Sequence, residues 1–204
     1  MASIGLGFRA MRGGSVVVGV SIADREPRLI LSAFLATAAE GDRIAFEPYH
    51  LAAEKIAEGL AEAEAIVAEG RARQAKLAAE GLGDLIAKLE KPAAAALLVN
   101  RAGWITDLLQ HSLSHPEHPP IAEGLAVRDA LRAAFTRCAV RSVEMDEKAL
   151  PETASKALGL SHDQIEARLK ELGAAAGRPW RKEQKLAALA AWLSSVDETT
   201  TLVE

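Results

Sequence analysis

The sequence predicts a mixed α/β domain, a sheet with both parallel and antiparallel strands and helices packed against it. Three observations carry that expectation. The first fifty residues hold short apolar runs separated by tight polar turns. The Ala- and Glu-rich stretch from Leu51 to Lys91 has the period of one long amphipathic helix. Beyond it, helical and strand-like stretches alternate, so the element order is β-β-β-α-β-α-β-α.

Residues 1–14, MASIGLGFRAMRGG, are glycine-rich and show no helical period, so a flexible leader is expected there. SVVVGVSI (15–22) is β-branched and predicts the first strand, central in the sheet. ADREPR turns the chain, LILSAFLAT (29–37) is the second strand, and RIAFEPYH, ended by Pro48, is a short third. Three strands joined by tight turns predict an antiparallel meander.

The long helix follows, over about 50–90. Ala52, Ile56, Leu60, Ala63, Val67, Ala78, Leu85 and Leu89 form its apolar stripe, while Glu54, Glu58, Glu62, Glu69, Lys76 and Glu80 lie opposite. Gly59, Gly70 and Gly81 recur every eleven residues, about three turns, so the stripe barely drifts. A straight helix of about forty residues spans roughly 60 Å, too long to bury on a small sheet. It must break, best at Gly81-Leu82-Gly83, or project and pair with a second copy. A homodimer through residues 56–78 is therefore expected, with Gln74 as a polar pair that fixes register.

Pro92 ends that helix, and AAAALLVN (93–100) predicts a buried strand. Were it helical, the protein would be mostly α. Residues 103–115 predict a short helix stopped by Pro116, and 121–136 a second, with Val127, Leu131 and Phe135 inward. RCAVRSVEM (137–145) predicts the last strand. Residues 150–195 are helical in pieces divided at Gly159 and Gly173–Pro179, so one domain over 15–195 precedes a polar tail, 196–204.

With 204 residues, half of them apolar and only 4% aromatic, the chain can build one good core. Net charge is −4, and no segment has the basic surplus of a protein held to nucleic acid by charge alone. The one cysteine, Cys138, excludes an intrachain disulfide and a multi-cysteine zinc cluster, and reads as a small buried hydrophobe. No apolar run is long enough to span a membrane, and the charged turn Asp24–Arg28 interrupts any signal-peptide pattern. A cytoplasmic protein without a membrane partner is expected.

The element order, with VVVGVSIADREPRLIL as opening hairpin and EGLAVRDALRAAFTRCAVRSVEM as helix then strand, resembles the ribonuclease H-like fold shared by RuvC-type Holliday junction resolvases. That resemblance implies one or two divalent metals on carboxylates: one mid-way along the first strand, one at the end of the fourth, and one or two on the last helix. Here those places fall near Ser21, at Asn100–Arg101, and at Glu183, with Asp24 in the nearby turn. The acids present are Asp24 and Glu183, the catalytic candidates. A degenerate, non-catalytic domain that binds a protein or nucleic-acid partner is the leading reading. A metal-dependent nuclease or phosphodiesterase using magnesium, manganese or zinc is the first alternative.

Three further constellations bear on function. Asp107, His111 and His115, at i, i+4, i+8, share one helix face where a transition metal would find N and O donors, with Glu117 and His118 just beyond. ETASKALGLSHDQIEARLKELGAAAG (152–177) resembles a helix-turn-helix, with Leu158-Gly159-Leu160-Ser161 as turn and cap and Ile165, Leu169 and Leu172 inward. That makes a DNA-binding protein the second alternative. Finally, Arg178, Trp180, Arg181, Lys182 and Lys185 form the most basic spot, with an aromatic suited to nucleic-acid contact.

Overall fold

The structure is a computed structural model describing residues 4–89, 93–100, 104–115 and 119–200. Five strands, β1 (Ile4–Met11), β2 (Gly14–Ala23), β3 (Glu26–Ala36), β4 (Ala93–Val99) and β5 (Ser142–Asp146), form one sheet in the order β3-β2-β1-β4-β5. β1, β2 and β3 pair antiparallel, whereas β4 runs parallel to both β1 and β5. The expected fold class and the mixed sheet are those observed.

The expected meander is displaced by one strand. Residues 4–11, expected as leader, form the central strand, and β2, expected at the centre, is second from the edge. Ile4, Leu6 and Phe8 point to one face and are buried there. RIAF is helical instead of a third strand: α1 (Arg43–Phe46) is capped by Asp42, whose carboxylate accepts from the Ala45 N–H at 3.2 Å. A local cap satisfies that donor without a neighbouring strand.

The long helix breaks, but not at Gly81. Helix α2 (Pro48–Lys55) runs into a 3-10 turn over Ile56–Glu58, and Gly59 (φ 122°) starts α3 (Leu60–Ala87). A side chain would be strained at that φ. Much of the stripe is covered by the chain itself: Ala63 and Val67 pack with Tyr49 and Ala52 of α2 and with Ala122 and Ala126 of α5 (Pro119–Arg137), while Ile56 and Leu60 are exposed. Gln74 is buried and donates from Nε2 to the Ala45 carbonyl at 2.7 Å, so it serves this core and not a pair between copies. Cys138 follows α5 instead of lying in a strand, and it packs half-buried below that helix.

Both faces of the sheet are covered. On one, Ile4, Leu6, Phe8, Val17, Ala95 and Leu97 meet α3 and α5, with Phe8 edge-on to Phe135 at 4.9 Å. On the other, Val16, Val18, Val20, Ala96 and Leu98 meet α6 (Leu150–Leu158), α7 (His162–Ala176) and α8 (Lys182–Thr200). Helix α8 extends into the expected polar tail, of which residues 201–204 lie outside the described residues. Among the described residues no helix is long and apolar enough to cross a membrane.

Candidate functional site

Helix α8 lies directly on β1, and this contact builds the site. A Cβ at Gly5 would run into the Ala191 carbonyl, and one at Gly7 into that of Ala187. Two residues of strand advance about 6.6 Å and four of helix about 6.0 Å, so alternate strand positions meet every fourth helical position. The next pair in this register is Arg9 with Glu183. Arg9 is therefore aimed along the α8 face of the sheet, at the carboxyl ends of the parallel strands.

There its guanidinium grips Glu147, just past β5, with two bonds of 3.1 Å from Nε and Nη2. Its Nη1 lies 3.6 Å from a Glu183 carboxylate oxygen. At the end of β4, Asn100 accepts from Nη1 of Arg128, a residue of α5, at 2.8 Å. Arg128 is only 8% exposed, and its Nε has no hydrogen-bond partner. Burial, followed by the neighbouring Arg132, pulls its pKa below the ordinary arginine value.

Two cavities share Asn100, Leu125 and Arg128 as lining. In the larger, of about 650 Å³, the other arginines are paired: Arg71 with Asp129 at 2.8 Å, and Arg132 with Asp129 at 2.8 Å and Glu144 at 2.6 Å. The smaller, of about 430 Å³, is lined by Arg9, Arg12, Arg128 and Lys148 against the single carboxylate Glu147.

No family model matches the chain, and no curated protein does. Solved structures do. The chain is similar to Thermus thermophilus RuvC, with TM-score 0.55 and 11% identity over 97% of each chain. It is also similar to T. thermophilus RuvC in complex with a Holliday junction substrate, with TM-score 0.53 and 10% identity over 98% of this chain and 96% of that one. The fold is ribonuclease H-like. At this identity the likeness carries the fold and not the chemistry.

Because the first strand is β1, Ser21 lies in the second strand and pairs with Ile4 at the start of β1, while Arg9, sixth of the eight residues of β1, is the charged residue that this strand presents to α8. Asp24 lies three residues beyond Ser21, in a turn about 25 Å along the sheet from Arg9. Asp24 and Glu183 therefore do not converge. The fourth-strand place is Asn100, already engaged with Arg128, while Arg101 lies outside the described residues.

This donor set does not fit a divalent ion. Glu147 and Glu183 are held by a guanidinium, a fixed cation where a metal would need a third oxygen ligand. Among the described residues, no group of three or more His, Cys, Asp or Glu side chains is arranged to hold a metal.

Asp107, His111 and His115 do not assemble such a group either. Asp107 caps α4 (Leu108–Ser114) by accepting from the Gln110 N–H at 2.9 Å. The two imidazoles stack at 4.7 Å, and His111 meets Trp104 edge-on at 5.7 Å. Glu117 and His118 lie outside the described residues.

Helices α6 and α7 form the expected helix-turn-helix unit. Gly159 is left-handed (φ 65°), Ser161 makes a capping box with Gln164, and Ile165, Leu169 and Leu172 are buried. The pair is docked, with Arg168 bound to Glu26 of β3 at 2.6 Å. Trp180 packs partly buried into the core beside α8, against Gly173, which removes its ring as a base-stacking platform. Lys185 pairs with Glu166 at 2.7 Å, while Arg178, Arg181 and Lys182 are exposed at the α8 amino terminus, close to Glu183.

Arg9 is hidden in the sequence because its glycine-rich strand looks like a leader, and Arg128 and Glu147 because no local pattern joins them to Asn100 and Arg9. The usable signal was the alternation Ile4, Leu6, Phe8, with glycine between, which marks a strand closely approached from its other face.

Proposed function

We propose that this protein is a nucleic-acid-binding ribonuclease H-like domain in which the carboxylate–metal centre of the fold has been replaced by an ion-paired arginine. The observation that carries this reading is Arg9, near the carboxyl end of β1, gripping Glu147 and close to Glu183. Support for nucleic acid as partner comes from the likeness to a RuvC bound to a Holliday junction substrate and from the cationic lining of the smaller cavity. Arg178, Arg181 and Lys182 are further exposed cations, close in sequence to Glu183, which lies beside Arg9.

The test uses the full chain with four-way and single-stranded DNA in magnesium and in manganese. Retention of the four-way junction without cleavage is the expected outcome. Cleavage lost on Glu183→Ala or Glu147→Ala would establish the metal-dependent nuclease instead. Absence of binding to either DNA at low salt would remove nucleic acid as the partner.

A further inference from the structure

Arg128 is the cation in this region for which the fold supplies least. Among the described residues no carboxylate lies within ion-pairing distance of it, whereas Arg71 has one and Arg9 and Arg132 have two each. Its Nη1 is spent on the neutral Asn100, and its Nε has no partner. Burying a guanidinium without an anion is costly, and such a group is unlike the paired cations around it. Nε lies on the side edge of the guanidinium fork, the edge that grips an oxyanion with two parallel bonds.

The surroundings say which anion. Arg128 lines both cavities, and the cations of the smaller one gather on its side of the wall. Arg9, Arg12 and Lys148 line the side of the smaller cavity. Arg12 is half-satisfied by Glu47 at 3.7 Å and lies over the Phe46 ring, and Lys148 is exposed. A phosphodiester, which carries further phosphates on either side, matches several cations along one wall, whereas a single small carboxylate would engage only one of them.

We propose that Arg128 is the seat for a phosphate oxyanion, a phosphodiester of a nucleic-acid backbone, with Arg12 and Lys148 facing the adjoining phosphates. The identity of the source rests on the nucleic-acid reading above; the oxyanion seat does not. The phosphate is held by arginine at the wall between the cavities, with Arg9 kept closed on its two carboxylates.

The test titrates the full chain with sodium phosphate at constant ionic strength, following the Arg128 Nε–Hε resonance and the melting temperature. A saturating shift of that resonance is expected in wild type. The phosphate dependence of the melting temperature, which also reads the variants, should show binding weakened roughly tenfold or more in Arg128→Gln. Arg128→Lys, which keeps the charge and loses the fork, should fall between. Lys148→Ala, at an exposed position that does not endanger folding, should weaken binding a few-fold. A resonance moved no further by phosphate than by chloride overturns the seat. Binding of a four-way DNA junction that is equal in wild type and Arg128→Gln also overturns it, and leaves the nucleic-acid reading standing. Saturation by phosphate with no junction binding keeps the seat and removes its nucleic-acid source.

Discussion

Arg9 separates two carboxylates that would otherwise face each other across the end of the sheet. The side chains involved are 21–30% exposed, so water screens much of the attraction. Arg9→Ala should cost about 1 kcal/mol in urea unfolding, less at high salt. Arg9→Asp should cost more, because three carboxylates then crowd one place, and manganese should raise its melting temperature while leaving wild type unmoved. An equal manganese effect on wild type would show that the guanidinium is no obstacle to a metal. Glu123 of α5 poses a different question. It is fully buried and accepts from the Tyr49 and His50 N–H groups at 2.9 and 3.0 Å, closing the amino terminus of α2. Burial pushes its pKa up to about 7 despite those bonds. A carboxyl raised in the folded state contributes stability that is present below its unfolded value and is lost as pH rises through about 7. Stability should therefore fall between pH 4.5 and 7, by at most about 3 kcal/mol, and Glu123→Gln should flatten that fall. An unchanged slope in the variant would place the titration elsewhere.

At the scale of elements, the β1–α8 contact is the most exacting. Gly7→Ala has no room, since the obstacle is the backbone carbonyl of Ala187 and not a movable side chain. A loss of about 3 kcal/mol or more is expected, measured by thermal or urea unfolding. Gly83→Ala in α3 faces open space, and should add about 0.5–1 kcal/mol because only helix propensity changes. Those two opposite results from one substitution type would establish that β1 glycines serve packing. Gly81 and Gly83 do not break α3 because Leu82 between them is fully buried under β3 and α5, and that packing outweighs two weak helix formers. The break falls at Gly59 instead, where the chain must reverse for α2 to reach Glu123.

For the whole molecule, much of the apolar stripe of α3 is covered by α2 and α5 of the same chain. Of the stripe on which a dimer through residues 56–78 was expected, this takes Ala63, Val67 and Ala78 into the chain's own core and leaves Ile56 and Leu60 exposed at its start. Val67→Glu should lower the melting temperature equally at all protein concentrations, because Val67 is 8% exposed in that core. Leu60→Glu, at a residue 53% exposed, should change neither the melting temperature nor sedimentation. A shift to a lighter species with Leu60→Glu would restore the dimer. The cationic end of the sheet is likewise assembled from distant segments: Arg9 and Glu147 are 138 residues apart, and Arg128 and Asn100 are 28 apart.

The sequence by itself determined the class. Alternating apolar runs, one long amphipathic stretch and later helix–strand alternation require a mixed sheet with helices on both faces, since each apolar face must be buried against another layer. It also located Ser161 as a cap and Gly159 as a helix end, both local effects decided within a few residues. Only the tertiary structure decided that glycine-rich residues 4–11 are the central strand. Their glycines look like loop signals until a helix from the far end of the chain is laid against them. The site followed the same logic. With the first strand displaced, Ser21 and Asp24 fall in β2 and the turn after it, while the charged residue that β1 presents to α8 is Arg9. Its charge is answered by Glu147 and Glu183, and no pattern within ten or twenty residues brings those three together. Local propensity acts through the nearest turns of chain, whereas a site of this kind is made by which strand ends the fold sets side by side.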